Sequence, residues 1–248
     1  MKQTHVLSHF DEDIKIQLHL SDFIQQHIYF LGYYDRGLQQ WIGQTLKTGD
    51  VYVDVGANVG CYTLLAAKRV GATGKVYAFE PVSHTADRLE QNIGLNHFTN
   101  IQVVRKALYQ ENTELTFFLS SDDNVGMSSI HRHDAESGQT EVIQAIKADD
   151  FFNQEALSRI DLIKIDIEGA EWFALQGMKE TLLKYHPLVV LEFSDELLSK
   201  SGIAPQQLIS FFTDLGYTLH QLTEDGVLIP ADLNALGTFE NVVFKRLS

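Results

Sequence analysis

Residues 51–60 read VYVDVGANVG and decide the fold, because a short apolar run stands directly before two glycines. The run 51–55 has the length and the β-branched residues of a buried strand, and residues 58–70 continue with helical spacing. Gly56 and Gly60 permit a tight turn and a close approach of the backbone to a ligand. The stretch therefore predicts a strand–turn–helix unit whose helix N-terminus offers free amide groups to a ligand.

The alternation of strands and helices continues after this unit. Strands of the central sheet are predicted at Val51–Val55, Val76–Phe79, Ile101–Val104, Leu162–Ile167, Leu188–Phe193, Tyr217–Leu222 and Val242–Lys245. Helices are predicted between them at Asn58–Val70, Ser83–Leu95, Ala170–Lys184 and Pro205–Leu215. This order predicts an α/β protein with a mainly parallel, seven-stranded sheet and helices on both faces. The carboxyl ends of the parallel strands then meet along one edge, where ligands bind.

Two parts of the chain lie outside this alternation. Between the third and fourth strands, the strand-like stretches Leu115–Leu119 and Glu141–Ile146 flank a polar loop over 120–140, which we interpret as a lid. Before the sheet, residues 14–20 alternate as in a half-buried strand, and residues 38–46 have helical spacing. We expect an N-terminal extension over residues 1–48 that packs on a single domain over residues 49–248.

The composition argues against several classes of protein. The formal net charge is −14, and so acidic a surface repels phosphate backbones, so no nucleic-acid partner is expected. Cys61 is the only cysteine, which rules out an internal disulfide and a cysteine-rich zinc site. No apolar run approaches the roughly 18 residues of a membrane span, and the N-terminus lacks a signal-peptide core. We expect a cytoplasmic protein without a membrane partner, and a homodimer is left open.

Two carboxylates bracket the glycine turn. Asp54 ends the first strand of the sheet, and Glu80 ends the second. An acid at the second position can accept hydrogen bonds from the ribose hydroxyls of an adenosine. The carboxylate of Asp54 would repel a phosphate but suits a ligand's ammonium group. The turn also lacks the G-x-G-x-x-G spacing of a pyrophosphate site. The pair therefore indicates a ligand shaped like S-adenosylmethionine and argues against a nicotinamide-dependent oxidoreductase.

At this point the sequence resembles the FkbM family of methyltransferases. The resemblance is carried by residues 53–60 (VDVGANVG), 78–81 (AFEP) and 163–171 (IKIDIEGAE), of which the third is the most specific. Residues 191–193 (LEF) and 241–244 (NVVF) also fit, and the resemblance covers roughly residues 25–246. It implies a Rossmann-like class I methyltransferase fold with S-adenosylmethionine as methyl donor and S-adenosylhomocysteine as product.

The resemblance also implies roles for individual residues. The glycine turn would line the methionine part of the cofactor, Glu80 would hold the ribose, and residues 106–108 would approach the adenine. The cofactor-binding residues predicted in this way are Asp54, Gly56, Ala57, Asn58, Gly60, Tyr62, Thr63, Glu80, Pro81, Ala107 and Asp166. Members of the family usually methylate a hydroxyl oxygen, so we expect a hydroxylated small-molecule acceptor such as a sugar or a natural-product intermediate.

A second group of acids follows the strand over 162–167. Asp166, Glu168 and Glu171 crowd one turn, and Glu192 ends the next strand at the same edge. Mutual repulsion should raise at least one of their pKa values, which suits a general base that acts on an acceptor hydroxyl. We rank Glu168 first for that role and Asp166 second, although Asp166 could equally contact the cofactor's amino group. Glu192 could orient the acceptor, and Glu171 fits a helix N-terminal charge better than a catalyst.

Other interpretations stay open. A divalent cation on Asp166, Glu168 and Glu192 is conceivable but not favoured, so no metal is predicted. His131 and His133 in the polar loop could bind a metal or supply a base, but we expect ordinary loop residues. The glycine turn contacts only the cofactor. It therefore does not separate the expected O-methyltransferase from an N-methyltransferase or from a non-catalytic relative that binds S-adenosylmethionine.

Overall fold

The computed structural model describes residues 5–119, 139–232, 236–237 and 239–246. Nearly all of the predicted lid, with His131 and His133, lies outside the described residues. The strands are β1 (His5–Phe10), β2 (Ile14–His19), β3 (Val51–Val55), β4 (Lys75–Phe79), β5 (Ile101–Val104), β6 (Ala107–Leu108), β7 (Thr113–Phe118), β8 (Thr140–Ile146), β9 (Leu162–Ile165), β10 (Leu188–Ser194), β11 (Tyr217–Leu222), β12 (Leu228–Pro230) and β13 (Phe239–Arg246). The helices are α1 (Phe23–Leu31), α2 (Arg36–Thr45), α3 (Cys61–Val70), α4 (Ser83–Asn96), α5 (Ala148–Gln154), α6 (Glu171–Gln176), α7 (Lys179–Tyr185), α8 (Asp195–Lys200) and α9 (Pro205–Asp214).

The central sheet confirms the predicted fold class. Its strand order is β12-β11-β13-β10-β9-β3-β4-β5, and the run from β10 to β5 is parallel throughout. Strand β13 is antiparallel to both of its neighbours, as the predicted late strand over 242–245 should be. Within the described residues the sheet has eight strands rather than seven. The short β12, which pairs antiparallel with β11 at the edge, was not predicted.

One prediction of local structure was wrong. The helix predicted over residues 170–184 is two helices, α6 and α7, which are separated at Gly177. The backbone of Tyr109 crosses Gly177 so closely that a Cβ atom there would lie 2.0 Å from the Tyr109 carbonyl oxygen.

Strand β1 was not predicted. It pairs antiparallel with β2, although only Phe10 within it is fully buried. A strand that buries so little has no clear alternation in its sequence.

The stretch between β5 and β9 forms a separate sheet. It contains β6, β8 and β7 in that order, with β7 antiparallel and β6 parallel to β8. This confirms the two strand-like stretches that were predicted on either side of the polar loop. The sheet brings Ala107 and Phe117 toward the carboxyl edge of the central sheet, where both line the clefts described below.

Alternation along the central strands separates two hydrophobic cores. Odd-numbered residues such as Val53 and Ile163 belong to a core with α6, α7 and α9. Even-numbered residues such as Tyr52 and Leu162 belong to a core with α3 and the N-terminal extension. The extension contributes Phe10, Ile14, Ile16, Leu18, Ile28, Leu38, Trp41 and Ile42 to that second core. Polar even-numbered residues at the carboxyl ends of these strands therefore lie on the face that the extension covers. Among the described residues, no helix has the length and apolar character to cross a lipid bilayer.

Candidate active site

The glycine turn joins β3 to α3 and packs directly on the end of β9. Gly56, Asn58 and Gly60 have φ values of 81°, 49° and 99°, in the left-handed region that favours glycine. A Cβ atom on Gly56 would lie 2.0 Å from the backbone oxygen of Asp166. Any other residue at position 56 would therefore push the turn away from Asp166. The glycine turn and the acidic segment over residues 163–171 therefore meet at this contact.

Asp54 lies beneath the turn and is only 1% exposed. Its Oδ2 atom accepts a 2.6 Å hydrogen bond from the Thr63 hydroxyl, and its Oδ1 atom has no hydrogen-bond partner among the described residues. Burial raises the pKa of Asp54, and the nearby ammonium group of Lys164 opposes part of that rise. Asp54, Gly60 and Thr63 do not line the cleft above the turn, so their direct contact with a cofactor stays a prediction.

Glu80 connects the turn to the segment that follows β4. Its carboxylate accepts hydrogen bonds of 3.0 Å from the backbone amides of Asn58 and Val82. Burial raises the pKa of Glu80 to about 7, although the two amides oppose that rise. The side chain lines the cleft above the turn, as expected for a residue that holds a ribose.

Two adjoining clefts lie along the carboxyl edge of the sheet. We call the larger one the glycine-turn cleft; it encloses about 910 Å³, part of it open to solvent. Its lining includes Gly56, Ala57, Asn58, Tyr62, Glu80, Pro81, Phe117, Lys164, Asp166, Ile167 and Glu168. The second, the apolar cleft, encloses about 350 Å³ between Val55, Gly56, Phe79, Pro81, Lys106, Ala107, Leu108, Tyr109, Leu115, Phe117, Ile167 and Ala170. Small-molecule sites typically occupy roughly 300–1,000 Å³.

These residues fit S-adenosylmethionine. The apolar cleft would take the adenine ring, as predicted for Ala107, and Glu80 in the neighbouring cleft would accept the ribose hydroxyls. At the other end, Asp166 lines the glycine-turn cleft and suits an ammonium group, and Lys164 in the same cleft suits a carboxylate. The adenine, the ribose and the amino-acid end of this cofactor thus each have a matching group along one edge of the sheet.

Lys164 is a functional candidate that the sequence reasoning missed. It is 3% exposed, and its Nζ atom lies 3.0 Å from Asp166 Oδ2 and 3.7 Å from Asp54 Oδ1. The same atom lies 5.1 Å from the centre of the Tyr62 ring. Burial opposes the charged form, but Asp166 and Asp54 outweigh it and leave the pKa of Lys164 above its ordinary value. A lysine inside an otherwise apolar buried strand is the signal that could have identified it.

Three carboxylates gather near the junction of the glycine-turn cleft with the surface around Glu192. Asp166, Glu168 and Glu192 each place an oxygen within 4.8 Å of the others, so they could hold a divalent cation. Burial, followed by repulsion from Asp166 and Glu168, raises the pKa of Glu192 well above its ordinary value, as the crowding of acids at this edge predicts. Asp166 remains paired with Lys164.

Glu171 is buried away from this group. Its carboxylate accepts hydrogen bonds from the backbone amides of Ile167 and Gly169, at 3.0 and 3.2 Å. It is 2% exposed, and burial raises its pKa to about 7. These contacts hold the turn between β9 and α6 and favour the structural role predicted for Glu171.

A third cleft, which we call the outer cleft, lies on the side of the N-terminal extension. It is lined by His27, Tyr33, Tyr34, Asp35, Arg36, Gly37, Leu38, Tyr62, Asp166, Glu192, Glu224, Asp225 and Asn241. Three of these residues, Tyr34, Tyr62 and Asp166, also line the glycine-turn cleft. The two clefts therefore meet where a group held in one could reach a group held in the other.

Several known proteins are similar to this chain in sequence. The chain is 27% identical over 216 residues to the AMB antimetabolite synthetase AmbE of Pseudomonas aeruginosa, an alignment that covers 73% of this chain but only 10% of AmbE. It is 27% identical over 202 residues to the methyltransferase sdnD of Sordaria araneosa, covering 70% of this chain and 76% of sdnD. It is 28% identical over 141 residues to the hexuronic acid methyltransferase AglP of Haloferax volcanii, covering 57% of this chain and 55% of AglP.

The fold is shared with solved methyltransferases. A protein of Clostridium thermocellum that is described as an rRNA-methylase superposes with a TM-score of 0.52 at 10% identity, over 85% of this chain and 94% of that one. Residues 54–219, more than half of the chain, match the family model of the methyltransferase FkbM domain. This stretch contains the glycine turn, Glu80 and the acids around Asp166. The chain belongs to the FkbM family of S-adenosylmethionine-dependent methyltransferases.

Proposed function

We propose that the protein transfers a methyl group to a hydroxyl oxygen of a small acceptor bound in the outer cleft. The observation that supports this best is the position of Asp166. It lines both the glycine-turn cleft and the outer cleft, and its carboxylate is kept close to Lys164. A carboxylate at that junction is suited to remove the proton of an alcohol as the oxygen attacks.

The proposed reaction needs alignment and one proton acceptor. S-adenosylmethionine, held by the residues of the glycine-turn and apolar clefts, would supply an electrophilic methyl carbon and would release a neutral thioether as the methyl group is transferred to oxygen. Tyr34 and Tyr62 flank the junction and restrict how an acceptor enters it, and such positioning accounts for much of the rate. The proton of the hydroxyl passes to Asp166. Glu192 lines the outer cleft and is positioned to hydrogen-bond to the acceptor and orient it.

This assignment reverses the order that the sequence suggested for the base. Glu168 lines the glycine-turn cleft and Glu192 the outer cleft, whereas Asp166 lines both. We therefore place Asp166 before Glu168. Transfer to nitrogen is the second candidate, but a neutral amine attacks without a base, so a carboxylate at the junction favours oxygen. The name of AglP, a hexuronic acid methyltransferase, also supports a sugar-like acceptor.

The test is a transfer assay with a methyl-labelled cofactor. Matched acceptors that differ only in carrying a hydroxyl or an amine at the same carbon are each offered to the protein, with and without a chelator. We expect label on the hydroxylated members and no effect of the chelator. Label on the amines alone would reject oxygen transfer, and loss of activity with the chelator would favour a cation on the three carboxylates. Calorimetry with S-adenosylhomocysteine shows independently that the cofactor site is intact.

The buried carboxyl of Glu80 should make cofactor binding depend on pH. In the free protein its pKa is about 7, whereas the ribose hydroxyls would donate to the ionised form and lower that pKa in the complex. The affinity for S-adenosylhomocysteine is therefore expected to be constant above pH 8. It should fall about tenfold for each unit below pH 7, because binding must then expel a proton.

The variant Glu80→Gln provides the control for this prediction. It keeps the size of the side chain but has no proton to lose, so its affinity should not change between pH 6 and 8. At pH 8 it should bind about 10- to 100-fold more weakly than the parent, because hydrogen bonds to a charged group contribute roughly 1.5–3 kcal/mol. Titration calorimetry across this range measures both quantities. An unchanged pH dependence in the variant would show that another group controls binding.

A further inference from the structure

The outer cleft has an uneven distribution of charge. It spans about 1180 Å³, part of it open to solvent, and among the described residues its lining carries five carboxylates, those of Asp35, Asp166, Glu192, Glu224 and Asp225. The described lining also contains two basic residues, His27 and Arg36, and the side chain of Arg36 is exposed. Lys164 pairs with Asp166 from the side of the glycine-turn cleft. The outer cleft is thus strongly acidic, although burial and the neighbouring carboxylates raise the pKa of Glu192.

The remaining carboxylates are not neutralised by neighbouring cations. Asp35 accepts hydrogen bonds from the backbone amide of Leu38 at 2.8 Å and from the side-chain amide of Asn241 at 2.7 Å, both of which are uncharged donors. Glu224 and Asp225 lie exposed at the rim of the cleft. Within the part of the chain that the structure describes, no Lys or Arg nitrogen is recorded within 4.0 Å of these three side chains.

Other groups in the cleft suit a hydroxylated ring. Tyr33, Tyr34 and His27 present aromatic rings, and the rings of His27 and Tyr34 meet edge to face at 6.2 Å. Carboxylates accept hydrogen bonds from several hydroxyl or ammonium groups at once, whereas they repel an anion. The cleft therefore offers flat apolar surfaces beside many acceptors and few cationic donors.

We propose that the outer cleft is the acceptor site and that it selects a polyhydroxylated acceptor that is uncharged or carries an amine, and rejects acidic ones. The inference rests on the proposed function, because within the described part of the chain the outer cleft meets the glycine-turn cleft at Tyr34, Tyr62 and Asp166. This acceptor selectivity would differ from that of AglP, whose name specifies an acidic sugar. Selection arises from repulsion of the wrong acceptor as much as from attraction of the right one.

The first experiment compares three probes that share the same sugar ring and differ in charge: methyl glucosaminide, methyl glucoside and methyl glucuronide. The full chain is labelled with fluorotyrosine and saturated with S-adenosylhomocysteine, and the fluorine signals of Tyr33 and Tyr34 are assigned from the Tyr33→Phe and Tyr34→Phe variants. We expect the glucosaminide to shift both signals at a concentration at least tenfold below that needed for the glucuronide. Equal or tighter binding of the glucuronide, or no shift with any probe, would overturn the proposal.

A pair of double variants tests the origin of the selectivity. Glu224→Gln with Asp225→Asn removes two rim charges and should reduce the difference between glucosaminide and glucuronide to less than about threefold. Glu180→Gln with Asp214→Asn, two exposed acids outside all three clefts, should leave the difference unchanged. A difference that persists in the rim variant would contradict selection by these charges. Failure of the proposed function itself is detected separately, by the absence of S-adenosylhomocysteine binding in calorimetry or of labelled transfer to any hydroxyl.

Discussion

The variant Asp166→Asn is expected to lower kcat by about 10²- to 10⁴-fold, the range that a positioned general base contributes. The amide keeps the size of the side chain but cannot accept the hydroxyl proton. It also leaves Lys164 Nζ without the carboxylate that lies 3.0 Å away. The loss should appear in kcat, measured by labelled methyl transfer. The affinity for S-adenosylhomocysteine should change by less than about tenfold, since Glu80 and the apolar cleft still hold the adenosine.

Two neighbouring substitutions distinguish a base from a general effect of charge. Glu168→Gln and Glu192→Gln each remove a carboxylate whose oxygen lies within 4.8 Å of the other two. We expect each to lower kcat by less than about tenfold, because Asp166 is the member of this carboxylate group that lines both clefts. If Glu168→Gln instead caused the largest loss while cofactor affinity was retained, Glu168 would be the base, as the sequence first suggested.

The variant Lys164→Met is expected to lower the free energy of unfolding by about 3–5 kcal/mol at pH 7. Removing the buried ammonium leaves the carboxylates of Asp54 and Asp166 next to each other without their shared cation. The pKa of Lys164 lies above its ordinary value of 10.5, so its stabilising charge is fully present at pH 7 and is lost only as the pH rises through that pKa. For a protein of this size, the melting temperature should fall by roughly 6–20 °C.

Denaturant and thermal unfolding at several pH values measure this effect. The difference between Lys164→Met and the parent should shrink as the pH falls, because protonation of Asp54 removes one of the two repelling charges. Lys75→Met is the matched control, since Lys75 pairs with Glu155 at 3.2 Å but is 39% exposed. Its loss should stay below about 1 kcal/mol. Equal losses in the two variants would contradict a special contribution of the buried ion pair.

Short-range sequence patterns were sufficient to predict the fold and the residues on the cofactor side of the site. The seven predicted strands, the turn at Gly56 and the position of Glu80 each follow from local periodicity or from a strand end. Lys164 was missed because its partner Asp54 lies on a neighbouring strand, and only the register of β3 with β9 brings them together. The break at Gly177 depends on the distant backbone of Tyr109, which no local pattern reveals.

The acceptor side could not be predicted for a related reason. Tyr34 and Asp35 precede α2, Glu192 lies in β10, and Asn241 lies in β13, so the outer cleft combines segments that are far apart in the sequence. The way the N-terminal extension packs on the even-numbered face of the sheet determines this arrangement. The boundary near residue 48 and a homodimer remain predictions.

Alternating residues along the central strands should differ in which property a substitution affects. Asp54, Lys164 and Glu192 project from one face of the sheet, whereas their immediate neighbours along each strand fill the opposite core. A saturation scan scored separately for abundance and for turnover should therefore show two interleaved patterns of period two at the carboxyl ends of β3, β9 and β10. Odd positions would govern mainly how much folded protein accumulates, whereas Asp54, Lys164 and Glu192 would govern turnover, and Lys164 would affect abundance as well through its buried ion pairs. Directed evolution of a new acceptor preference can then draw on Glu192, which lines the outer cleft, while the odd positions and Lys164 are kept fixed.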